Sequence, residues 1–198
     1  MDLRISRGLF VLVVISLIFL VAFPAIIIFV PLENRVETFS EFILLDQNHD
    51  IITSPINLSS QEITELYVSL KNHMSSSEYY NVEVKFRNSS LASVENNISG
   101  PSSASILYSY SFVLDSDETF EVPLTIGFSE ANVASDILTV NNFIINNNLI
   151  PIRESIQADI QTNNFVSQLL FELWMYDEVS DSFEFVGQKT WAWINLIS

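Results

Sequence analysis

Apolar and polar positions fall into two regimes along this chain. Gly8 to Val30 is one unbroken uncharged run, GLFVLVVISLIFLVAFPAIIIFV, whereas everything beyond it alternates short apolar stretches with polar clusters. A helix over the first run reaches roughly 35 Å at about 1.5 Å per residue, enough to cross a hydrocarbon core of about 30 Å with some tilt. The run is longer than a secretory apolar region, and its small residues Ala22 and Ala25 flank Phe23-Pro24, so an uncleaved anchor is expected. Pro24 is tolerable within lipid as a kink, and Pro31 marks the stop.

Beyond the anchor the apolar period is two, the period of a strand with one face buried. Strands are predicted over Glu37–Leu45, a short Ile51–Thr53 arm, Gln61–Lys71, Tyr79–Arg87, Ser105–Leu114 and Thr119–Phe128. In Tyr79–Arg87 the alternation puts Tyr80, Val82, Val84 and Phe86 on one face and Asn81, Glu83, Lys85 and Arg87 on the other. Asn88–Ser105 reads as a polar, mobile loop around Gly100-Pro101. Glu130–Asn164 is less regular, and a short helix is expected from Pro151 onward. Gln168–Tyr176 and Phe183–Leu196 flank Asp177–Ser182 as a long antiparallel hairpin. About seven short strands with turns every 8–12 residues predict an all-β, immunoglobulin-like antiparallel sandwich behind one N-terminal transmembrane helix.

The expected organisation is a cytoplasmic N-terminus over 1–7, a transmembrane helix over 8–30, a juxtamembrane linker over 31–36 and one extracytoplasmic domain over 37–198. Arg4 and Arg7 precede the span, so the positive-inside rule places the N-terminus in the cytoplasm and the large domain outside the cell membrane. The chain carries a net charge of −16, and the few cations beyond the span are scattered, which disfavours nucleic acid as a partner. With no cysteine, the fold has no disulfides, thiol nucleophile or Cys-based metal site.

The candidate chemistry is sparse. Asp46-x-Asn48-x-Asp50 begins like a calcium loop, but Ile51 stands where the loop needs Gly and Asn57 where it needs Glu, so a polar turn is the better reading. Asp115, Asp117 and Glu118, and likewise Asp177, Glu178 and Asp181, are acidic turns able at most to hold a divalent cation weakly. His49 and His73 lack a zinc spacing, no Gly-x-Ser-x-Gly elbow is present, and 4 Gly leave no phosphate-cradling loop. No enzyme activity and no cofactor are expected. Trp191 and Trp193 share a strand face opposite Ala192, and with Trp174 they read either as sandwich core or as indoles for sugar rings or a partner, with at least one of Trp191 and Trp193 expected to be buried. The closing hairpin is expected to be the structural keystone. Three sequons begin at Asn57, Asn88 and Asn97, all in expected loops, and mark candidate N-glycosylation sites.

Several segments in order resemble the exposed domain of an archaeal membrane-protein family, the domain of unknown function 1616 family. They are FSEFILL (Phe39–Leu45), SPINLS (Ser54–Ser59), ITELYVSLKNH (Ile63–His73), YYNVEVKF (Tyr79–Phe86), LDSDETFEVPLTIGF (Leu114–Phe128) and LLFELWMYD running to WAWINL. The resemblance implies an immunoglobulin-like, archaeal, surface-facing domain and no known activity, with 130–167 as an insertion.

These readings predict a single-pass membrane protein that touches lipid through residues 8–30. Its surface domain is expected to act as a non-enzymatic binding or assembly module of the envelope, or as an accessory subunit docking on a membrane protein. Two alternatives are a surface carbohydrate-binding module and a pilin-like filament subunit cleaved after Gly8, since Arg7-Gly8-Leu9 before an apolar run resembles an archaeal pilin leader.

Overall fold

The computed structural model describes residues 10–12, 16, 39–89, 92–93, 99–159, 162 and 164–197. The chain divides into two compact units, Met1–Val36 and Glu37–Ser198. The expected span over 8–30, the leader site at Gly8 and the linker over 31–36 lie outside the described residues apart from 10–12 and 16, which are helical. No helix among the described residues is long and apolar enough to cross a membrane.

The described residues of the second unit form ten strands: β1 (Ser40–Leu45), β2 (Ile56–Ser59), β3 (Ile63–Asn72), β4 (Glu78–Asn88), β5 (Ile106–Leu114), β6 (Thr119–Ala134), β7 (Ile137–Ile145), β8 (Asn148–Gln157), β9 (Phe165–Asp177) and β10 (Ser182–Ile197). They form two five-stranded sheets, β1-β3-β6-β7-β8 and β2-β10-β9-β4-β5. Pairing is antiparallel except between β2 and β10, which run parallel, so the expectation of a wholly antiparallel sandwich is corrected there.

Both sheets contribute one face to a single core. The first supplies Leu66, Val68 and Leu70 of β3 with Leu124, Ile126 and Phe128 of β6, and the second supplies Tyr80, Val82, Val84 and Phe86 of β4 with Leu169, Phe171 and Leu173 of β9. Phe86 meets Phe143 of β7 across the gap with ring centroids 5.3 Å apart. Fully burying one such large apolar side chain contributes about 1.5–3 kcal/mol, which makes this layer the main stabilising element.

The helix expected from Pro151 is replaced by strand β8, and most of the stretch read as an insertion belongs to strands β6, β7 and β8. Two physical causes hid it. Asn146 and Asn147 both have left-handed φ, 50° and 62°, forming a two-residue hairpin turn between β7 and β8. The two-residue period also breaks mid-strand. Leu138 and Val140 are buried and then Phe143 and Ile145, with a register shift against β8 between Val140 and Asn142. Pro151 is tolerated because β8 is an edge strand, where a missing N–H costs no ladder bond if it faces outward.

Asn72 ties the sheets together at one end. Fully buried, its Nδ2 donates to the carbonyls of Ser76 at 2.9 Å and Leu114 at 3.0 Å, while its Oδ1 accepts from the Met74 N–H at 2.8 Å and the Tyr80 hydroxyl at 3.1 Å. The Asp115–Glu118 turn beside it therefore carries the chain from the second sheet into the first.

Candidate functional site

The outer face of the second sheet is where the chemistry collects. Strand alternation aims Trp191 and Trp193 of β10, Gln168, Leu170, Glu172, Trp174 and Tyr176 of β9, and Tyr79, Asn81, Glu83, Lys85 and Arg87 of β4 away from the core. Register then sets them in rows: Trp193 beside Gln168 and Arg87, Trp191 beside Leu170 and Lys85, Lys189 beside Glu172 and Glu83, Phe185 beside Trp174 and Asn81, and Phe183 beside Tyr176 and Tyr79.

The middle rows are buried although they face outward. Lys85 is 4% exposed, Arg87 1% and Glu172 0%. Lys85 Nζ donates to Glu172 Oε2 at 2.7 Å, lies 3.1 Å from Glu83 Oε2, and donates to the Ser102 carbonyl at 3.1 Å. Glu172 Oε1 accepts the Ser102 N–H, and Arg87 donates to Gln168 Oε1. Residues on the way from Gly100 to β5 thus lie over the sheet as a roof held by backbone bonds to a buried ion pair. The polar face of β4 is thus covered at Lys85 and Arg87. A polar alternation marks the face away from the core, and a chain segment crossing that face decides whether it is wet.

Aromatic rings flank the roofed charges. On one side Tyr79, Tyr176 and Phe183 cluster with centroids 4.9–6.0 Å apart, and Trp174 meets Phe185 at 5.6 Å. The Tyr176 hydroxyl donates to Asp181, and that bond raises the phenol above its ordinary value. On the other side Trp191 is 37% exposed and Trp193 is half-buried. The expectation that one of these two indoles fills the core is overturned. Ala192, Ile194 and Leu196 face inward instead, and the outward tryptophans follow from the same alternation. Trp174 is half-buried with Lys85 Nζ 5.9 Å from its ring centroid, and its indole N–H is buried with no hydrogen-bond partner among the described residues.

Trp193 also lines an open cleft of about 910 Å³, with Gln157, Asp159, Thr162, Asn164 and Asn195 among the other walls. Between the two sheet edges a smaller cleft of about 340 Å³ is lined by Arg87, Ile106, Pro151 and Glu154 among others.

The sequons sit differently from expectation. Asn57 is exposed on strand β2 rather than in a loop, and its Oδ1 accepts from Asn195 Nδ2 at 3.1 Å. Asn88 is the half-buried last residue of β4, paired with Ser167. Asn97 lies outside the described residues.

Asp46 behaves as a turn residue. Its Oδ1 accepts the N–H groups of Asn48 at 2.8 Å and Asp50 at 3.0 Å, and those bonds lower its carboxyl below the ordinary range. His49 Nδ1 is 2.8 Å from Glu121 and its ring packs on Tyr67, while His73 is 3.6 Å from Glu41 and stacks on Phe39. The two histidines stand with separate partners. Among the described residues no three metal-ligating side chains converge.

No family model and no curated protein matches this chain. Among solved structures, a CARDB domain from Pyrococcus furiosus crystallised with di-metal ions is similar at 7% identity and a TM-score of 0.41, over 80% of this chain and 90% of that one. A β-glucosidase from Listeria innocua bound to isofagomine is similar at 12% identity and a TM-score of 0.42, over 82% of this chain. This chain spans only 16% of that enzyme's length.

Proposed function

We propose that the chain is a single-pass, N-in membrane protein whose residues 37–198 form an immunoglobulin-like sandwich outside the cell and act as a non-enzymatic binding or assembly module. The anchoring rests on the uncharged run Gly8–Val30 behind Arg4 and Arg7. The archaeal family resemblance belongs to the same proposal. The observation that carries the binding role is the outward, partly exposed placement of Trp174, Trp191 and Trp193 on one sheet face. Indoles in that setting are the commonest anchors of protein contacts, because they bury a large area with little side-chain entropy to lose. The partner is an envelope or membrane protein, and Asn57, Asn88 and Asn97 are proposed glycan sites on the same exterior domain.

Photo-cross-linking from position 191 in native membranes tests this reading. A discrete cross-linked protein is expected, with the domain digested by protease on intact cells. Protection of the domain until lysis removes the exterior placement, and absence of any cross-link from 174, 191 and 193 removes the binding face.

A carbohydrate-binding role is the second reading, favoured by the cleft in which Trp193 stands beside Gln157, Asp159, Thr162, Asn164 and Asn195. An indole wall with amide, hydroxyl and carboxylate partners suits a sugar ring, whose faces are apolar and whose rim is hydroxyl. Glycan binding lost in Trp193→Ala without a lowered melting temperature would favour it. A mature N-terminus at Leu9 would instead favour the filament subunit.

A further inference from the structure

Each sheet ends in two edge strands, and three of the four are guarded. β1 has six residues and carries Glu41, and β2 has only four. β8 contains Pro151, charged Arg153 at a left-handed φ of 52°, and a register irregularity against β7. These are the devices that keep sheet edges from pairing with other chains. β5 has one of them only near its start, a register irregularity against β4 at Leu107, and is regular from Tyr108 to Leu114. Its nine residues, ILYSYSFVL, include no charge, proline or glycine, and it pairs only with β4 among the described residues. From Tyr108 to Leu114 one row of its backbone N–H and C=O groups has no strand partner among the described residues, over about 23 Å.

We propose that β5 pairs antiparallel with β5 of a second copy of this chain, joining two sheets into one of ten strands. This goes beyond the binding face proposed above and rests on different residues. Charge identifies the partner and the direction. In a chain of net charge −16, β5 is, among the described residues, the one long edge strand at which two copies meet without opposing like charges. A parallel arrangement would set each Asp115–Glu118 turn beside its counterpart. An antiparallel one sets that turn against the other copy's Ser99–Ser105, which has no charged residue.

The side chains fit a twofold axis near Tyr110. Ser109 then faces Ser111 on the outer side, both small and exposed, and Tyr108 faces Phe112 on the inner side. The inner pair continues a ring ladder already present within one copy, in which Tyr108, Tyr110 and Phe112 follow one another at centroid distances of 6.1 and 5.9 Å. Val113, 61% exposed, comes under cover beside the neighbouring strand. One strand pair buries a small area, so the association is expected in the micromolar range rather than tighter.

The test uses the full chain in detergent micelles, with protein mass from analytical ultracentrifugation at about 100 µM, well above that expected range. The unmodified chain should have the mass of two copies. Ser111→Glu/Val113→Glu should halve the mass at an unchanged melting temperature, because neither position neighbours an acid on β4, where Asn81 and Tyr79 face them. The chain has no cysteine, so a short bis-maleimide should join copies through Ser111→Cys and not through Ser155→Cys on the guarded edge β8. A monomeric unmodified chain overturns the proposal. So does a dimer that survives the double glutamate, or equal cross-linking from both cysteine positions, each of which would put the association elsewhere. If the glutamate variant melts early, the cross-linking contrast decides.

Discussion

The two faces of the second sheet are made of the same strands and yet hold together by different physics. On the inner face Val82, Val84, Leu169, Phe171 and Leu173 are buried among apolar neighbours from the other sheet. On the outer face Lys85, Arg87, Gln168 and Glu172 are equally buried, but under a roof of backbone at Ser102. The first face loses stability in proportion to volume removed. The second depends on every charge keeping its partner, because a desolvated ion left alone is costly whereas the complete pair is nearly neutral.

Removing volume from the inner face should have the largest effect. Phe171→Ala is expected to cost about 3–5 kcal/mol by denaturant melt, a large part of the roughly 5–15 kcal/mol that domains have. A loss below about 1 kcal/mol would mean that the core closes over the hole and that the inner face is not the tightly packed layer described.

Lys85→Met probes the outer face by stranding Glu172. About 3 kcal/mol should be lost, the low end for breaking a buried pair, since Glu172 keeps the Ser102 N–H. Replacing both members, Lys85→Met with Glu172→Leu, should recover only part of that loss, because it also removes the bonds to Ser102 and the partner of Glu83. If the double variant is as weak as the single one, the roof is held by the charges themselves and the contrast between the faces is sharper than drawn.

These faces also differ in how well they could be read. The inner positions of β4 and the β9–β10 hairpin follow from simple alternation, and both are where the sequence pattern predicts them. The outer face of β4 carried a polar alternation that says which way a residue points and nothing about what lies above it. The roof comes from residues about seventy positions away from Glu172, a contact invisible to any local period. The same limit misplaced the tryptophans. Trp191 and Trp193 were correctly set opposite Ala192, but size suggested the core, whereas small Ala192 is the inward residue. In β7 and β8 the period itself breaks, and Asn146-Asn147 was the one local turn signal that could have replaced the expected helix with a hairpin.

Trp191 lies between the two regimes, outward-facing and 37% exposed. Trp191→Ala should therefore cost about 1–2 kcal/mol, from the apolar area still covered, and leave the melt cooperative. Its larger consequence should be on the cross-link expected from that position. A cost matching that of Phe171→Ala would show that the ring is part of the structural layer and would withdraw it from the binding face.

The smallest effect belongs to the solvated rim, where neither burial nor a roof operates. Asp177 opens the β9–β10 turn, and its Oδ2 accepts the Ser180 N–H at 2.9 Å, a bond that lowers the carboxyl below its ordinary value of about 3.9. Because the folded value is depressed, the charged form is favoured by folding. The contribution is complete above the unfolded value and fades as pH falls through the folded one, so its window lies below about pH 4. Asp177→Asn should melt slightly below the unmodified chain at pH 7, and the difference should close as the pH falls toward the acid limit. A difference that instead persists unchanged into acid would assign the turn's contribution to hydrogen-bond geometry that the amide cannot reproduce, not to charge.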